Sequence, residues 1–271
     1  MLEHQLEIKK YSELEKYISA FGKKQMNLVI LVSRAGLGKT TMCEEILMES
    51  SPLILNSHIT PLKFFQLVYE RTQEEKDGLI IIDEAEIMFR NERLVTMLKI
   101  LCDTKTERSI RYSSSSPLLK DYPQEFTTQA KVMLLLNTLN PKDENIRAVM
   151  SRGHLINFSP PDTEILEYLR SWATDKEILN YIGNFAPFSK SLNLRTYVLA
   201  LESKKSRLDW RAEIVKGLNI DPRLVEIQRL LQKYPSDKKR IEEFEKLGHG
   251  SRLTYYRYKK LFLSKNSQYK P

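Results

Sequence analysis

One short segment combines glycine, lysine and threonine at a spacing suited to binding phosphate. Together with the threonine that follows, it reads Ser33, Arg34, Ala35, Gly36, Leu37, Gly38, Lys39, Thr40, Thr41. Glycines let the backbone curl so that its N–H groups point at phosphate oxygens, and a helix that begins at Lys39 adds the positive end of its dipole. In such a loop the lysine reaches the β- and γ-phosphates and the threonine hydroxyl is a ligand of Mg²⁺. The segment therefore predicts a site for ATP with Mg²⁺.

The first position of this pattern is unusual. Segments of this kind, called P-loops, ordinarily begin with glycine, and here the position is Ser33. Serine is small, and Gly36 and Gly38 remain, so we expect the loop to keep its geometry. A chance Gly-Lys-Thr at a helix start is the alternative. It is the weaker one, because an apolar strand at 28–32 precedes the loop and an acidic strand lies further along.

Two adjacent carboxylates end a second apolar run. Residues 79–82 are one leucine and three isoleucines, followed by Asp83 and Glu84. A buried strand would deliver both side chains to the carboxyl edge of a sheet, where ligands bind in open α/β folds. We expect Asp83 to hold the hydrated Mg²⁺ and Glu84 to polarise the attacking water as a general base. A strand that merely ends in solvated acids is the competing interpretation, and the nearby phosphate loop makes it less favoured.

Apolar segments of strand length alternate with helical patterns along the first part of the chain. The strand-like segments are 28–32, 53–56, 79–83 and 132–137. Continuous apolar strands separated by helices indicate an α/β fold with a parallel sheet covered on both faces. After Ser159-Pro160-Pro161 only helical patterns follow. We predict a nucleotide-binding core at 1–158, a helical lid at 159–218 and a basic C-terminal helical module at 219–271.

These motifs, in their order from about residue 25 to about residue 200, resemble those of the AAA+ family of P-loop ATPases. The resemblance implies an AAA+ core with an α-helical lid, and ATP hydrolysis as the activity. Residues 132–137 look like the sensor 1 strand of that family, which implies that Asn137 orients the lytic water. A strand-ending asparagine that begins a turn is the alternative. The segments 98–112 and 123–137 also look like ATP-binding proteins of phages and mobile elements and like the superfamily 3 helicase layout.

Two further segments resemble arginine motifs of the same family. Residues 146–153 are similar to its arginine-finger segment, in the Ser-Arg form of clamp loaders, which implies that Arg152 reaches a neighbouring subunit's ATP site. Arg147 is the second candidate, and a surface salt bridge is the alternative for both. Residues 192–195 are similar to sensor 2, which implies that Arg195 contacts ATP from the lid; an exposed helical arginine is the alternative. An arginine acting in trans implies a ring or helical homo-oligomer, commonly a hexamer in the family.

The positive charge of the chain is concentrated at its C-terminal end. Residues 201–271 carry 18 Lys and Arg against 9 Asp and Glu, whereas residues 1–200 carry 25 against 26. A basic module attached to a neutral core suggests a polyanionic partner, most often nucleic acid. A solubilising basic tail is the alternative.

The last two predicted helices flank Gly248-His249-Gly250, and this arrangement resembles a helix-turn-helix. Helical spacing places four side chains of the second helix near one outer face, where they could contact DNA: Arg252, Tyr256, Lys259, Lys260. Tyr255, Tyr258 and Phe262 would face a core. A small bundle that packs on the lid, or that docks on a neighbouring protomer, is the alternative.

Composition and the apolar pattern narrow the classes of protein to which this chain could belong. Cys43 and Cys102 lack metal-ligand spacing, the apolar runs are too short to span a bilayer, and the N-terminus lacks the pattern of a secretion signal. We expect a cytoplasmic protein without a membrane partner.

Two functions stay open: an ATPase acting on DNA in replication, transposition or recombination, and a nucleotide-switched ATPase that assembles or remodels a protein partner. An inactive scaffold is disfavoured, because every expected catalytic residue is present.

Overall fold

The computed structural model describes residues 5–56, 58–140 and 142–266. The chain divides into two compact units, Met1–Pro160 and Pro161–Pro271. The described strands lie in the first unit, whereas the described part of the second is helical. The change of pattern at residue 159 therefore falls at this boundary, and a further division near residue 218 stays a prediction.

In chain order the described strands of the first unit are β1 (Leu6–Ile8), β2 (Leu28–Val32), β3 (Leu53–Asn56), β4 (Leu79–Asp83), β5 (Arg108–Arg111), β6 (Glu125–Thr128), β7 (Lys131–Leu136) and β8 (His154–Phe158). A six-stranded parallel sheet forms the centre of this unit, with strand order β1-β8-β2-β7-β4-β3. A separate antiparallel hairpin is formed by β5 and β6. The predicted α/β class is confirmed.

The inner strands explain the continuous apolar runs of the sequence. Every residue of β2 is buried, and so is every residue of β4 and β7 except one at an end. Helices cover the sheet, so both faces of these strands exclude water and alternation of polar and apolar residues is lost. Sequence patterning did not predict β1, β8 or the hairpin. Those strands are short or include exposed residues, so their pattern does not stand out.

In the described part of the first unit, five α-helices lie between the strands. They are α1 (Tyr11–Gly22), α2 (Lys39–Ile46), α3 (Pro61–Glu74), α4 (Glu92–Leu101) and α5 (Glu144–Met150). Thr60 caps α3 by accepting a hydrogen bond from the Lys63 N–H, and Asn91 caps α4 in the same way. These caps satisfy backbone N–H groups in the first turns of the two helices and so favour helix starts at these positions.

The second unit is built from the remaining helices. They are α6 (Asp162–Trp172), α7 (Lys176–Phe185), α8 (Arg195–Lys205), α9 (Trp210–Gly217), α10 (Pro222–Lys233), α11 (Asp237–Lys246) and α12 (Arg252–Asn266). Phe262 of α12 stacks on Phe188 with 5.6 Å between ring centroids and lies 6.2 Å from Phe185. The last helix, α12, thus shares a core with the segment predicted to form the lid. Within the described residues, no helix combines the length and apolarity needed to cross a membrane.

Candidate nucleotide site

The glycine-rich loop adopts a conformation that explains its residue types. Gly36 and Gly38 both have φ of 82°, in the left-handed region that favours glycine, and Gly38 is the N-cap of α2. Ser33 is absent from the positive-φ residues of the described chain, so serine at this position meets no such strain. Its N–H donates to Leu136 O at 3.0 Å, which continues the pairing of β2 with β7. The expectation that serine is tolerated here agrees with this geometry.

Lys39 directs its ammonium toward the neighbouring strand ends. The residue is 7% exposed, and its Nζ donates to Ser33 O at 2.5 Å and to Asn137 Oδ1 at 3.1 Å. Asn137 directly follows β7, the strand beside β2. The predicted phosphate-binding lysine and the predicted sensor 1 asparagine are therefore in direct contact.

Thr40 and Asp83 also meet at this edge of the sheet. Thr40 Oγ1 donates to Asp83 Oδ2 at 2.8 Å. A hydroxyl and a carboxylate supply the hard oxygen atoms that Mg²⁺ prefers, and Mg²⁺ usually keeps several waters and binds substrate phosphates besides one or two carboxylates. The two side chains fit the role predicted for them, which is to hold Mg²⁺ beside the loop.

Glu84 lies next to this pair in an uncommon backbone conformation. Its φ is 51°, its N–H donates to Asp83 Oδ1 at 2.9 Å, and it is exposed. A left-handed φ at a residue other than glycine costs free energy and is concentrated at functional sites. The exposed carboxylate is accessible to water, as a general base must be.

The strand order explains why these residues converge. β2, β7 and β4 are adjacent and parallel, so their carboxyl ends lie at one edge of the sheet. Ser33 follows the first strand, Asn137 follows the second and Asp83 ends the third. Ligands of open α/β sheets bind at this edge.

Sequence reasoning missed one residue of the site, Glu86. It lies in the short 3₁₀ turn Ala85–Arg90, directly after Glu84 and Ala85. Its Oε1 accepts hydrogen bonds from the backbone N–H and the Nδ2 of Asn137, each at 3.3 Å. Its Oε2 is buried and has no hydrogen-bond partner among the described residues. The available signal was a third carboxylate close behind the acidic strand.

The two arginine-finger candidates differ in their surroundings. The Arg152 side chain is 30% exposed, its Nε lies 3.9 Å from Asp103 Oδ2, and its guanidinium also donates to Ala148 O. The Arg147 side chain is 54% exposed and lies 3.6 Å from Glu144 Oε1. Both arginines thus make the intramolecular contacts expected of the salt-bridge alternative, and Arg147 is the more accessible. A role in trans stays a prediction for either residue.

The candidate residues of the second unit are exposed, with one exception. Arg195 is the first residue of α8 and is exposed, as are Arg252 and Lys260. Tyr256 is 39% exposed, and the Arg252 guanidinium lies 5.7 Å from the centre of its ring. These three side chains of α12 lie on its solvent side, as the spacing predicts.

Lys259 is the exception, and the structure corrects its predicted place on the outer face. Its Nζ donates to both carboxylate oxygens of Asp237, at 2.7 and 2.6 Å, and its side chain is 20% exposed. Asp237 begins α11 and faces α12, so the lysine joins the two helices of the pair. The Lys259 ammonium is therefore paired with the Asp237 carboxylate. The predicted phosphate contact would need this ammonium on the outer face of the helix.

Comparison with known proteins gives distant structural likenesses only. No protein-family model matches the chain, and no curated protein matches it. A structure of C. elegans PCH-2 is 14% identical, with 76% of this chain and 67% of that chain covered and a TM-score of 0.42. A DNA replication initiation factor is 14% identical, with coverages of 91% and 81% and a TM-score of 0.43. A RuvB variant from Thermotoga maritima is 15% identical, with coverages of 88% and 81% and a TM-score of 0.44.

Proposed function

We propose that this chain is a Mg²⁺-dependent ATPase of the AAA+ type. The observation that carries the proposal is the convergence of two contacts at one sheet edge: Lys39 Nζ to Asn137 Oδ1, and Thr40 Oγ1 to Asp83 Oδ2. Four side chains from three separate segments thus meet beside a glycine loop suited to phosphate. The resemblance of the sequence motifs to the AAA+ family supports the same assignment.

The reaction is the in-line attack of water on the γ-phosphate of ATP. The loop N–H groups and Lys39 bind the phosphates, and Thr40 with Asp83 would hold Mg²⁺, which supplies positive charge to the phosphate oxygens. Glu84 accepts the proton of the attacking water, and Asn137 orients that water. The bond to the β,γ-bridging oxygen breaks, and ADP and phosphate leave.

Assembly is a further part of the proposal. An arginine of one subunit would complete the ATP site of the next in a ring or helical homo-oligomer. Arg152 is the candidate by resemblance, and Arg147 is the more exposed of the two. Arg195 is the candidate for the sensor 2 role by sequence resemblance.

We propose that hydrolysis is coupled to DNA, in replication, transposition or recombination. The basic excess of residues 201–271 and the solvent-facing Arg252, Tyr256 and Lys260 of α12 support this coupling. Cations contact phosphates without regard to sequence, and a tyrosine ring offers a surface on which a base can stack.

One observation favours the second candidate, an ATPase that assembles or remodels a protein partner. Leu253 of α12 is 81% exposed and Leu263 is 49% exposed. Exposed leucines on a helix offer apolar area on which another protein could dock. They lie on the same helix as the basic residues, so α12 carries residues suited to DNA and residues suited to a protein partner.

Steady-state ATP hydrolysis with and without single- and double-stranded DNA tests the proposal, with Glu84→Gln as the blank. We expect a rate that the variant lacks and that DNA stimulates. Hydrolysis that ignores DNA would leave the ATPase assignment standing and favour the protein partner. A wild-type rate equal to that of the blank would overturn the ATPase assignment.

Arg252→Ala combined with Lys260→Ala separates the two partners further. The DNA proposal predicts the loss of salt-sensitive DNA binding and of DNA stimulation, with basal hydrolysis retained. The matched control is Lys16→Ala combined with Lys9→Ala, since these lysines are exposed in the first unit. DNA binding equal to that of the control pair would remove α12 from this role.

A further inference from the structure

Glu86 makes contacts that the proposed reaction does not use. One carboxylate oxygen accepts two hydrogen bonds from Asn137, from its backbone N–H and from its side-chain Nδ2. The other side of the same carboxamide, Oδ1, accepts a hydrogen bond from Lys39 Nζ at 3.1 Å. Asn137 therefore lies between an anion and a cation, each facing the complementary end of its carboxamide.

This arrangement fixes which way the carboxamide points. An ionised carboxylate only accepts hydrogen bonds, and an ammonium only donates them. The Nδ2 of Asn137 must therefore face Glu86, and its Oδ1 must face Lys39. A rotation of the carboxamide by 180° would place Oδ1 against the carboxylate and Nδ2 against the ammonium, and both hydrogen bonds would be lost.

The second oxygen of Glu86 accepts no hydrogen bond from Asn137. Oε2 is buried and has no hydrogen-bond partner among the described residues. The structure keeps the carboxylate in this position while Oε1 serves Asn137.

We propose that Glu86 is a positioning residue, which orients the Asn137 carboxamide and through it the Lys39 ammonium. Its catalytic consequence rests on the proposed ATPase function, whereas the orientation itself does not. Glu86 acts through Asn137, while Glu84 acts on water. The two carboxylates of the segment Asp83-Glu84-Ala85-Glu86 thus have separate roles.

The test compares Glu86→Ala, Glu86→Gln, Asn137→Ala and the double variant Glu86→Ala/Asn137→Ala. Alanine removes the acceptor, whereas the oxygen of glutamine can still accept from Nδ2. We expect Glu86→Ala to lower kcat about tenfold, equal to about 1.4 kcal/mol, with little change in KM for ATP. Glu86→Gln should stay within about threefold of the wild type. Glu15→Ala, at an exposed glutamate of α1, is the matched control.

The double variant shows whether the Glu86 and Asn137 substitutions lower the rate through the same contact or independently. If Glu86 acts through Asn137, the double variant should be no slower than Asn137→Ala alone, since coupled residues are non-additive. Effects that multiply would overturn the proposal. So would a Glu86→Gln variant as inactive as Glu84→Gln, because that outcome would assign Glu86 a role in the chemistry.

A second measurement decides the orientation without reference to hydrolysis. In protein labelled with ¹⁵N-asparagine, the side-chain NH₂ signal of Asn137 is identified by its loss in Asn137→Ala. We expect this signal to shift in Glu86→Ala and to move less in Glu86→Gln. An unchanged signal in Glu86→Ala would overturn the proposal. A wild type without ATPase activity but with the expected shift would overturn the proposed function and leave the positioning role standing.

Discussion

The hydroxyl of Thr40 donates a hydrogen bond to Asp83 Oδ2 at 2.8 Å, although the two residues are 43 positions apart in the chain. One side chain belongs to the first turn of α2 and the other ends β4. The contact brings the phosphate loop and the acidic strand together. It also places two oxygen atoms where a single cation could contact both.

Thr40→Ala and Asp83→Asn should each weaken the binding of Mg²⁺, because each removes or neutralises one oxygen ligand. We expect half-maximal ATP hydrolysis to require about 10- to 100-fold more Mg²⁺. A Mg²⁺ titration at fixed ATP concentration measures this change. Thr96→Ala, at an exposed threonine of α4, is the control. A titration curve equal to that of the control would argue against the proposed metal ligands.

Mixing subunits should show whether an arginine acts in trans. Arg152→Ala should bind ATP but hydrolyse it about 10³-fold more slowly, because the charge that develops on the γ-phosphate lacks a partner. Lys39→Ala subunits should fail to bind ATP but still carry Arg152. We therefore expect mixtures of the two inactive variants to regain hydrolysis.

The same experiment with Arg147→Ala is the comparison, since Arg147 is the more exposed arginine. Recovery for Arg147→Ala and not for Arg152→Ala would move the role to Arg147. Recovery for neither would argue against a contribution from a neighbouring subunit by these two residues.

The Asp237–Lys259 pair should stabilise the second unit in a pH-dependent way. Hydrogen bonds, chiefly those from Lys259, lower the pKa of Asp237 to about 2 from an ordinary value near 3.8. A carboxyl whose pKa is lower in the folded state stabilises that state above its unfolded pKa. The contribution is lost as the pH falls from about 4 to about 2.

The Tm of Asp237→Asn should therefore be lower than that of the wild type at neutral pH. The two Tm values should converge near about pH 2. Glu242→Gln, at an exposed glutamate of the same helix, is the matched control. A difference in Tm that is constant across this range would rule out the ionised pair as its cause.

Phe262→Ala should destabilise the second unit by about 3–5 kcal/mol, because it removes a buried ring from the contacts with Phe185 and Phe188. Denaturant unfolding followed by circular dichroism measures the change. Leu263→Ala is the control, since Leu263 is the adjacent residue and is 49% exposed. Equal effects of the two changes would show that α12 is not anchored through Phe262.

The two cysteines should react slowly with thiol reagents in the folded protein. Burial is the main cause that raises the pKa of Cys43 to about 12 and that of Cys102 to about 12, so little reactive thiolate is present at neutral pH. Both thiols should react promptly after denaturation. Thr96→Cys supplies an exposed thiol for comparison, and native cysteines that react as fast as this one would contradict the prediction.

The α/β class could be predicted from the sequence, and the sequence also indicated the candidate residues of the loop and the acidic strand. The reason is local: strands buried on both faces need continuous apolar residues, and a left-handed turn favours glycine at Gly36 and Gly38. These requirements act within a few residues, so they can be read from neighbouring positions. The helix pair at the C-terminus was likewise indicated by spacing around its glycine turn.

Which of these residues lie in contact depends on the tertiary structure. The order β2-β7-β4 places Asn137 beside Lys39, and no local pattern encodes the neighbours of a strand. The sequence did not predict Glu86 as a site residue, because its proposed role depends on Asn137, which is 51 positions away. The pairing of Lys259 with Asp237 could not be predicted for the same reason. Helical spacing tells on which side of a helix a residue lies, but not which charged group of another helix faces it.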